Sequence, residues 1–286
     1  MILIDFNGCV IGSIIHQKMD HSLSDIRISI LNAMRAYNKK FRKQYGQLVI
    51  CCEGRSWRKE FFKEYKASRK TTRDRSDLDW EFIFNSINTV VQEIRDNMPW
   101  IVIQHGRAEA DDIIGALVES TQSFGKCEPV MIVSSDKDFL QLQKYSNVKQ
   151  FSVKNQKQMS TDDPRKFLDE QILRGDREDG VPNVWSLDNS FTDSIRQAPM
   201  RQKYIDDILS YDNIEEDYPF PAGIRSHWER NKSMIDLSET PEEIVSEVID
   251  KYEDATPAPR SKILNYFVAA RCRTLMNCIE DFYPHG

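Results

Sequence analysis

The chain has 286 residues, 40% of them hydrophobic and 10% aromatic, with a formal net charge of −6 at pH 7. That length allows one domain with a substantial annex or two small ones. No apolar run approaches the roughly 18 to 20 residues of a membrane span and no basic-then-apolar leader opens the chain, so a cytoplasmic protein with no membrane partner is expected. The negative sum argues against a nucleic-acid partner only until its distribution is considered. Between Arg55 and Arg75 nine bases (Arg55, Arg58, Lys59, Lys63, Lys66, Arg69, Lys70, Arg73, Arg75) face only Glu60, Glu64 and Asp74, whereas acids dominate from Asp206 to Asp254. The cysteines, at positions 9, 51, 52, 127, 272 and 278, form no CxxC pair and read as reduced thiols.

In chain order, ILI (Ile2 to Ile4) reads as a buried strand, Leu23 to Tyr45 as a helix ending near Gly46, and LVICC (Leu48 to Cys52) as a second buried strand. After the basic segment, Trp80 to Asp96 has helical spacing, WIVI (Trp100 to Ile103) is a third strand, Ile113 to Ser120 a helix and VMIV (Val130 to Val133) a fourth strand. Short apolar strands separated by helices predict an α/β fold with a mostly parallel sheet covered on both faces. Beyond it the pattern changes. Asp163-Pro164 starts a capped helix running to about Leu173, and Arg201–Leu209, Glu242–Tyr252 and Arg260–Ile279 read as helical. The expected division is an α/β part over residues 1–160, including a basic excursion over 55–79, and a mainly helical part over 161–286.

The acids fall at equivalent places. Asp5 follows the first strand, Glu53 the second, Glu109, Asp111 and Asp112 the third after a short loop, and Asp136 and Asp138 the fourth; Asp176 and Asp179 come later, in GDREDGVPNV. Helix capping explains one or two acids in RAEADDIIGALV, not three. Ligands of such sheets gather at the carboxyl ends of the strands, and so many carboxylates need a compensating charge. Hard divalent cations with oxygen ligands supply it, Mg²⁺ suiting a few carboxylates with retained waters. Two ions about 3.5 to 4 Å apart would suit in-line displacement at phosphorus, which points to a phosphodiester substrate. The segment WRKEFFKEYKASRKTTR, Trp57 to Arg73, interleaves bases with Trp57, Phe61, Phe62 and Tyr65, as expected of a helix that binds phosphate with one face and packs or stacks with another.

These residues carry a resemblance. LIDFN, WRKEF, EYKASR, AEADDIIG, IVSSDKDFLQL and GDREDGVPNV occur in the order and approximate spacing of the 5′ nucleases of the flap endonuclease superfamily, nearest to the ribonuclease H branch of T-even-type bacteriophages. The resemblance extends through YSNVKQFS and PRSKILNYF and covers nearly the whole chain. It implies a PIN-like (5′-nuclease-like) domain with a helix-turn-helix DNA-binding element opened by GDREDGVPNV. The implied enzyme is a metal-dependent 5′-to-3′ exonuclease and flap endonuclease acting on RNA·DNA and DNA duplexes, removing RNA primers from lagging-strand fragments in phage DNA replication. It further implies two Mg²⁺ ions, with Mn²⁺ as a substitute and a K⁺ ion at the helix-turn-helix element, a single-stranded-DNA-binding protein as partner of the C-terminal region, and a monomer in the host cytoplasm.

Carried over by motif, Asp5, Glu53, Glu109 and Asp111 surround a first metal and Asp136, Asp138, Asp176 and Asp179 a second, with Asp112 in an outer sphere. Asp111 and Asp136 stand near both ions. Lys66 matches the lysine that approaches the scissile phosphate and Arg58 a second phosphate contact, while Tyr65 stacks on a base. Lys59, Lys63, Arg69 and Lys70 in the basic segment, with Gly180 and Val181 in the later loop, complete the expected nucleic-acid contacts. Residues from about Trp57 to Asp79 would form the arch that single-stranded 5′ ends pass under or through. Two residues depart from the family pattern, Glu53 where Asp is usual and Gly180 where Asn is usual, and with strand one so near the start no sliding-clamp tether is expected. The competing readings are a haloacid-dehalogenase-like phosphatase, disfavoured because Phe6 and Asn7 rather than a second Asp follow Asp5, and a non-catalytic nucleic-acid-binding module. No GxGxxG follows a strand, which disfavours nucleotide-dependent oxidoreduction.

Overall fold

The computed structural model describes residues 1–16 and 22–284, without the side chains of residues 16, 70–72 and 124. Six strands, β1 (Ile2–Asp5), β2 (Leu48–Cys52), β3 (Ile101–Gln104), β4 (Val130–Val133), β5 (Val148–Ser152) and β6 (Lys157–Met159), form one sheet in the order β3-β2-β1-β4-β5-β6. The first five run parallel and β6 is antiparallel to β5. The helices are α1 (Phe6–His16), α2 (Leu23–Tyr45), α3 (Arg58–Phe61), α4 (Ser68–Asp74), α5 (Trp80–Asn97), α6 (Ala110–Gln122) and α7 (Pro164–Arg174). After these come α8 (Gln202–Ile208), α9 (Ile214–Asp217), α10 (Ile224–Ile235), α11 (Glu242–Glu253), α12 (Ser261–Ala269) and α13 (Arg273–Met276).

Local chemistry sets these boundaries. Ser22 caps α2 by accepting from the Asp25 amide, Asp79 caps α5 by accepting from Phe82, and Asp163 caps α7 ahead of Pro164 at its first turn. Alternation along each buried strand then divides the core. Ile2, Ile4 and Ile50 face α2 and α5, whereas Leu3, Val49 and Ile132 face α6. A third apolar cluster lies in the annex, joining Phe62 and Tyr65 of the basic segment to Ile172, Leu173, Val181, Ile205 and Trp228. The chain then returns to the sheet. Leu237, Ile244 and Val248 join the α6 side, and Ile263, Phe267, Leu275 and Phe282 join the α2 side.

Three expectations need correction. The basic segment is not one helix: α3 and α4 are separated by a turn in which Lys66 takes a left-handed backbone, φ 54°. The reason is opposed burial, since Tyr65 packs into the annex while the neighbouring Lys66 turns toward the strand-end acids. The expected helix-turn-helix is not confirmed, since Gly175 to Arg201, between α7 and α8, contains no α-helix. The continuous helix expected over Arg260–Ile279 breaks after Ala269, where Arg271 is left-handed, φ 57°. Helices α1 and α10 and strands β5 and β6 were not read from the sequence. All six cysteines are free, and four of them, Cys9, Cys51, Cys52 and Cys272, are buried. Among the described residues no helix is long and apolar enough to cross a membrane.

Candidate nuclease site

The strand order reverses at β1, which lies between β2 and β4, so the sheet opens a crevice at the carboxyl ends of β1 and β4. Asp5 ends β1 and is buried; it accepts from Ser134 Oγ at 2.7 Å and from the Gly8 amide at 3.1 Å. The same Ser134 hydroxyl accepts from the Asp136 amide at 3.0 Å, so one side chain ties the acids of two adjacent strands together. Asp136 caps the 3₁₀ helix Lys137–Lys144 by accepting from Asp138 N, and Asp138 accepts from Gln171 Nε2 of α7 at 2.7 Å. These acids line an open cavity of 670 Å³ together with Asp176 and Asp179. Asp176 pairs with Lys137 at 3.3 Å, and Asp179 with Arg69 at 2.6 Å and Lys66 at 3.4 Å.

An adjoining cavity of 700 Å³ holds Glu53, Glu109 and Lys66 and is rimmed by Arg55, Lys59, Arg69 and Arg73. Glu53, just past β2, faces the Ala110 amide at 3.4 Å. Glu109 is heavily bonded, accepting from Lys66 at 2.5 Å, Ser56 at 2.6 Å and Tyr65 at 3.0 Å, with Arg58 at 3.5 Å.

Charge separates the acids into two kinds. Burial pushes the carboxyls of Asp5, Asp111, Asp136 and Asp138 upward, and for Asp111 and Asp138 the nearby Asp136 adds to it; Asp138 reaches about 8. Burial likewise raises Glu53 to about 7, against the opposing pull of Lys66. Glu109 moves the other way: burial pushes it up, but Lys66 outweighs that and holds it below the ordinary range. The first set is therefore negative charge without a sufficient counter-charge, made only of hard oxygen donors, which is the donor set a divalent cation fits. Among the described residues no three His, Cys, Asp or Glu side chains stand close enough to hold one ion as they are.

Several sequence-predicted residues sit elsewhere than expected. Asp112 is fully buried, and its carboxylate is taken by Arg58 at 2.8 Å, Trp57 Nε1, Thr240 Oγ1 and the Glu109 amide, so it ties the start of the basic segment to α6. Arg58 is only 2% exposed and donates also to Met234 O, so its guanidinium is engaged inside the fold. Tyr65 is buried with its hydroxyl between Glu109 and Asp179, and no ring face is open to a base. The Gly180 and Val181 amides are spent inside the turn, on Arg177 O and Asp176 O. Lys59, Lys63 and Arg69 are exposed as expected, whereas the Lys70 side chain lies outside the described residues.

Gly180, the departure from Asn, has φ 75°, and a Cβ there would come within 2.9 Å of Glu64 O; glycine lets the turn pack under the Lys66 segment, whose amide bonds Asp179 O at 2.7 Å. Sequence reasoning missed Ser56, Ser134, Lys137 and Gln171. Ser134 lies inside the quoted SSDKD, where only the acids had drawn notice; Gln171 carried no signal, because α7 reaches the site only through the tertiary fold.

Gly8 yields a prediction. A Cβ there would lie 2.2 Å from Asp5 Oδ2, the mobile end of a side chain, so Gly8→Ala should fold with a melting temperature near that of the parent while its displaced Asp5 lowers cleavage about tenfold or more. Thermal melts beside initial cleavage rates test this; equal loss in both would make Gly8 merely structural.

Comparison with known proteins places the chain. A family profile described as the 5′-3′ exonuclease N-terminal resolvase-like domain matches residues 16–171, and one described as the T4 RNase H C-terminal region matches residues 167–282. The chain is 31% identical to the ribonuclease H of Enterobacteria phage T4, over 98% of this chain and 95% of that one. It is 26% identical to a 5′-3′ exonuclease of Buchnera aphidicola, over 64% of this chain and 61% of the other. In structure it is similar to a bacteriophage T5 flap endonuclease solved as a pseudo-enzyme–product complex with DNA and metal ions, with a TM-score of 0.66 at 17% identity, covering 89% of this chain and 98% of that one. A T5 5′-exonuclease with bound zinc gives a TM-score of 0.59 at 15% identity, covering 89% and 99%. Sequence identity along nearly the whole chain, a mostly parallel sheet and acids gathered at its strand ends lead to one conclusion: this chain belongs to the 5′-3′ exonuclease family of 5′ nucleases, together with the phage T4 ribonuclease H.

Proposed function

We propose that the chain is a divalent-metal-dependent 5′-to-3′ exonuclease and flap endonuclease that hydrolyses RNA·DNA and DNA duplexes from their 5′ ends and removes RNA primers from lagging-strand fragments during phage DNA replication. The observation that carries this reading is the group of under-compensated acids, Asp5, Glu53, Asp111, Asp136 and Asp138, beside a groove rimmed by Arg55, Lys59, Arg69 and Arg73. In the proposed site Asp5, Glu53 and Asp111 hold one Mg²⁺ and Asp136, Asp138, Asp176 and Asp179 another, partly through water, with Mn²⁺ able to substitute. Bound there, the ions supply an activated water and charge stabilisation at the leaving oxygen.

The protein's own groups do the rest. Lys66, seated between Glu109 and Asp179, offers its ammonium to the scissile phosphate, and Tyr65 fixes both of those carboxylates. Ser134 sets the spacing of Asp5 from Asp136. The exposed bases of residues 55–79 draw the nucleic acid in, so binding should weaken steeply with salt. Residues 1–160 carry most of the chemistry, and 161–286 the duplex grip together with the two acids Asp176 and Asp179. That boundary is functional and not a break between cores, because residues 237–282 pack on the sheet. A K⁺ ion in the Gly175–Val184 loop has less support, since Pro182 O already accepts from Arg230 and Asn231, and Val184 O meets His227. A monomer acting in the host cytoplasm, with a single-stranded-DNA-binding protein at its C-terminal region, completes the proposal.

The test is cleavage of a 5′-labelled RNA·DNA duplex and a 5′-flap DNA. Release of short 5′ products with Mg²⁺ that stops in EDTA and returns on adding metal is the expected result. Binding without cleavage under Mg²⁺ and Mn²⁺ alike would leave only a nucleic-acid-binding module.

A further inference from the structure

Strand β3 is one edge of the sheet, and among the described residues its backbone makes no hydrogen bond apart from its pairing with β2. Sheet proteins usually blunt such an edge with lysine, a bulge or a covering element, because its free amides and carbonyls template another strand. The residues of β3, IVIQ, carry no charge. Beside them lies a cavity of 590 Å³ lined by all four consecutive residues of the strand. Side chains alternate between the faces of a sheet, so a cavity that touches every residue in succession meets the backbone edge and not one face. It shares no residue with the cavity that holds Asp5 and Asp136, and only Gln104 with the one that holds Glu53 and Lys66.

The walls of this cavity differ in charge. Arg95 contributes from α5, whereas α11 and the residue just past its end present Glu247, Asp250 and Asp254 with only Lys251 among them. All three acids are exposed, and Glu247 is engaged only at its tip, by His105 at 2.7 Å. An acidic wall repels nucleic acid. Pairing with β3 of a second copy is disfavoured as well, since that would bring the acidic α11 of each copy toward the other and IVIQ offers no base to offset them.

We propose that this groove takes an extended basic segment of a partner protein as an added strand beside β3, with lysine or arginine at alternate positions facing Glu247, Asp250 and Asp254. Main-chain pairing supplies affinity and the period of two supplies selectivity, as in strand addition generally. The charges steer the encounter and make it sensitive to salt.

The probe is a fluorescein-labelled peptide, Lys-Val-Lys-Val-Lys-Val, followed by anisotropy with the full chain at low ionic strength. Two further peptides carry N-methyl groups either on every lysine or on every valine. Only one set of amides in an added strand faces β3, so one methylated peptide should bind about tenfold or more weaker and the other within about threefold of the parent. The double variant Asp250→Lys/Asp254→Lys should weaken the parent peptide about tenfold while leaving nuclease activity unchanged. Loss of neither methylated peptide would mean that charge alone holds the probe, and overturns strand addition. Absence of saturable binding overturns the site, as would a concentration-dependent dimer that the double variant strengthens, since that assigns the edge to a second copy.

Discussion

Asp136→Asn is expected to lower metal-dependent cleavage about 10³-fold or more while raising the melting temperature of the metal-free protein. Both effects have one cause. Asp136 stands among Asp5, Asp176 and Asp179, whose charges repel its own, and adds to the repulsion felt by Asp111 and Asp138, so neutralising it relieves the apo fold and removes a proposed ligand. The same crowding sets a pH dependence in EDTA. Carboxyls whose folded pKa is raised contribute stability at low pH and lose it as pH rises through the folded value. With Glu53 near 7 and Asp138 near 8, the melting temperature should fall between about pH 5 and 8, and added Mg²⁺ should restore it. Calorimetric melts with and without metal, set beside single-turnover cleavage rates, measure both. A variant that keeps its rate, or melts earlier in EDTA, would place Asp136 outside the metal site.

Arg58→Ala should unfold the protein more readily by about 3 to 5 kcal/mol, because it strands a buried carboxylate. Its guanidinium lies 2.8 Å from Asp112 and also bonds the Met234 carbonyl, joining the start of the basic segment to α6 and to the end of α10. Urea unfolding gives the stability, and DNA-binding isotherms on the folded fraction separate it from affinity. Unchanged stability with weakened DNA binding would restore the phosphate contact that the family pattern assigns to Arg58. The two experiments distinguish kinds of charged residue: an acid whose loss helps the fold and harms the reaction, and a base whose loss harms the fold itself.

Much of the fold was legible in the sequence because it rests on short-range pattern. Buried parallel strands leave uniform apolar runs, so ILI, LVICC and VMIV marked β1, β2 and β4, and Asp163-Pro164 marked the start of α7 through cap chemistry. The placement of acids after successive strands was legible for the same reason, since parallel strands necessarily end on one edge. Helix α1 was not, because FNGCVIGSIIH carries two glycines and its capping residue, Asp5, is also the last residue of β1; packing of Val10 and Ile14 into the core orders it. Nor was the break at Lys66, which depends on Tyr65 meeting an annex more than 100 residues away in the chain.

Sequence alone thus determined the fold class, the edge of the sheet where chemistry gathers and the kind of donor found there. Tertiary structure alone decided which charges cancel. Asp112 and Glu109 read from sequence as two more metal acids, yet the fold brings Arg58 to the first and Lys66 to the second, while among the described residues Asp5, Asp111 and Asp136 receive no such ion pair. Ion pairing depends on distance and burial between residues far apart in the chain, and neither is encoded in local pattern.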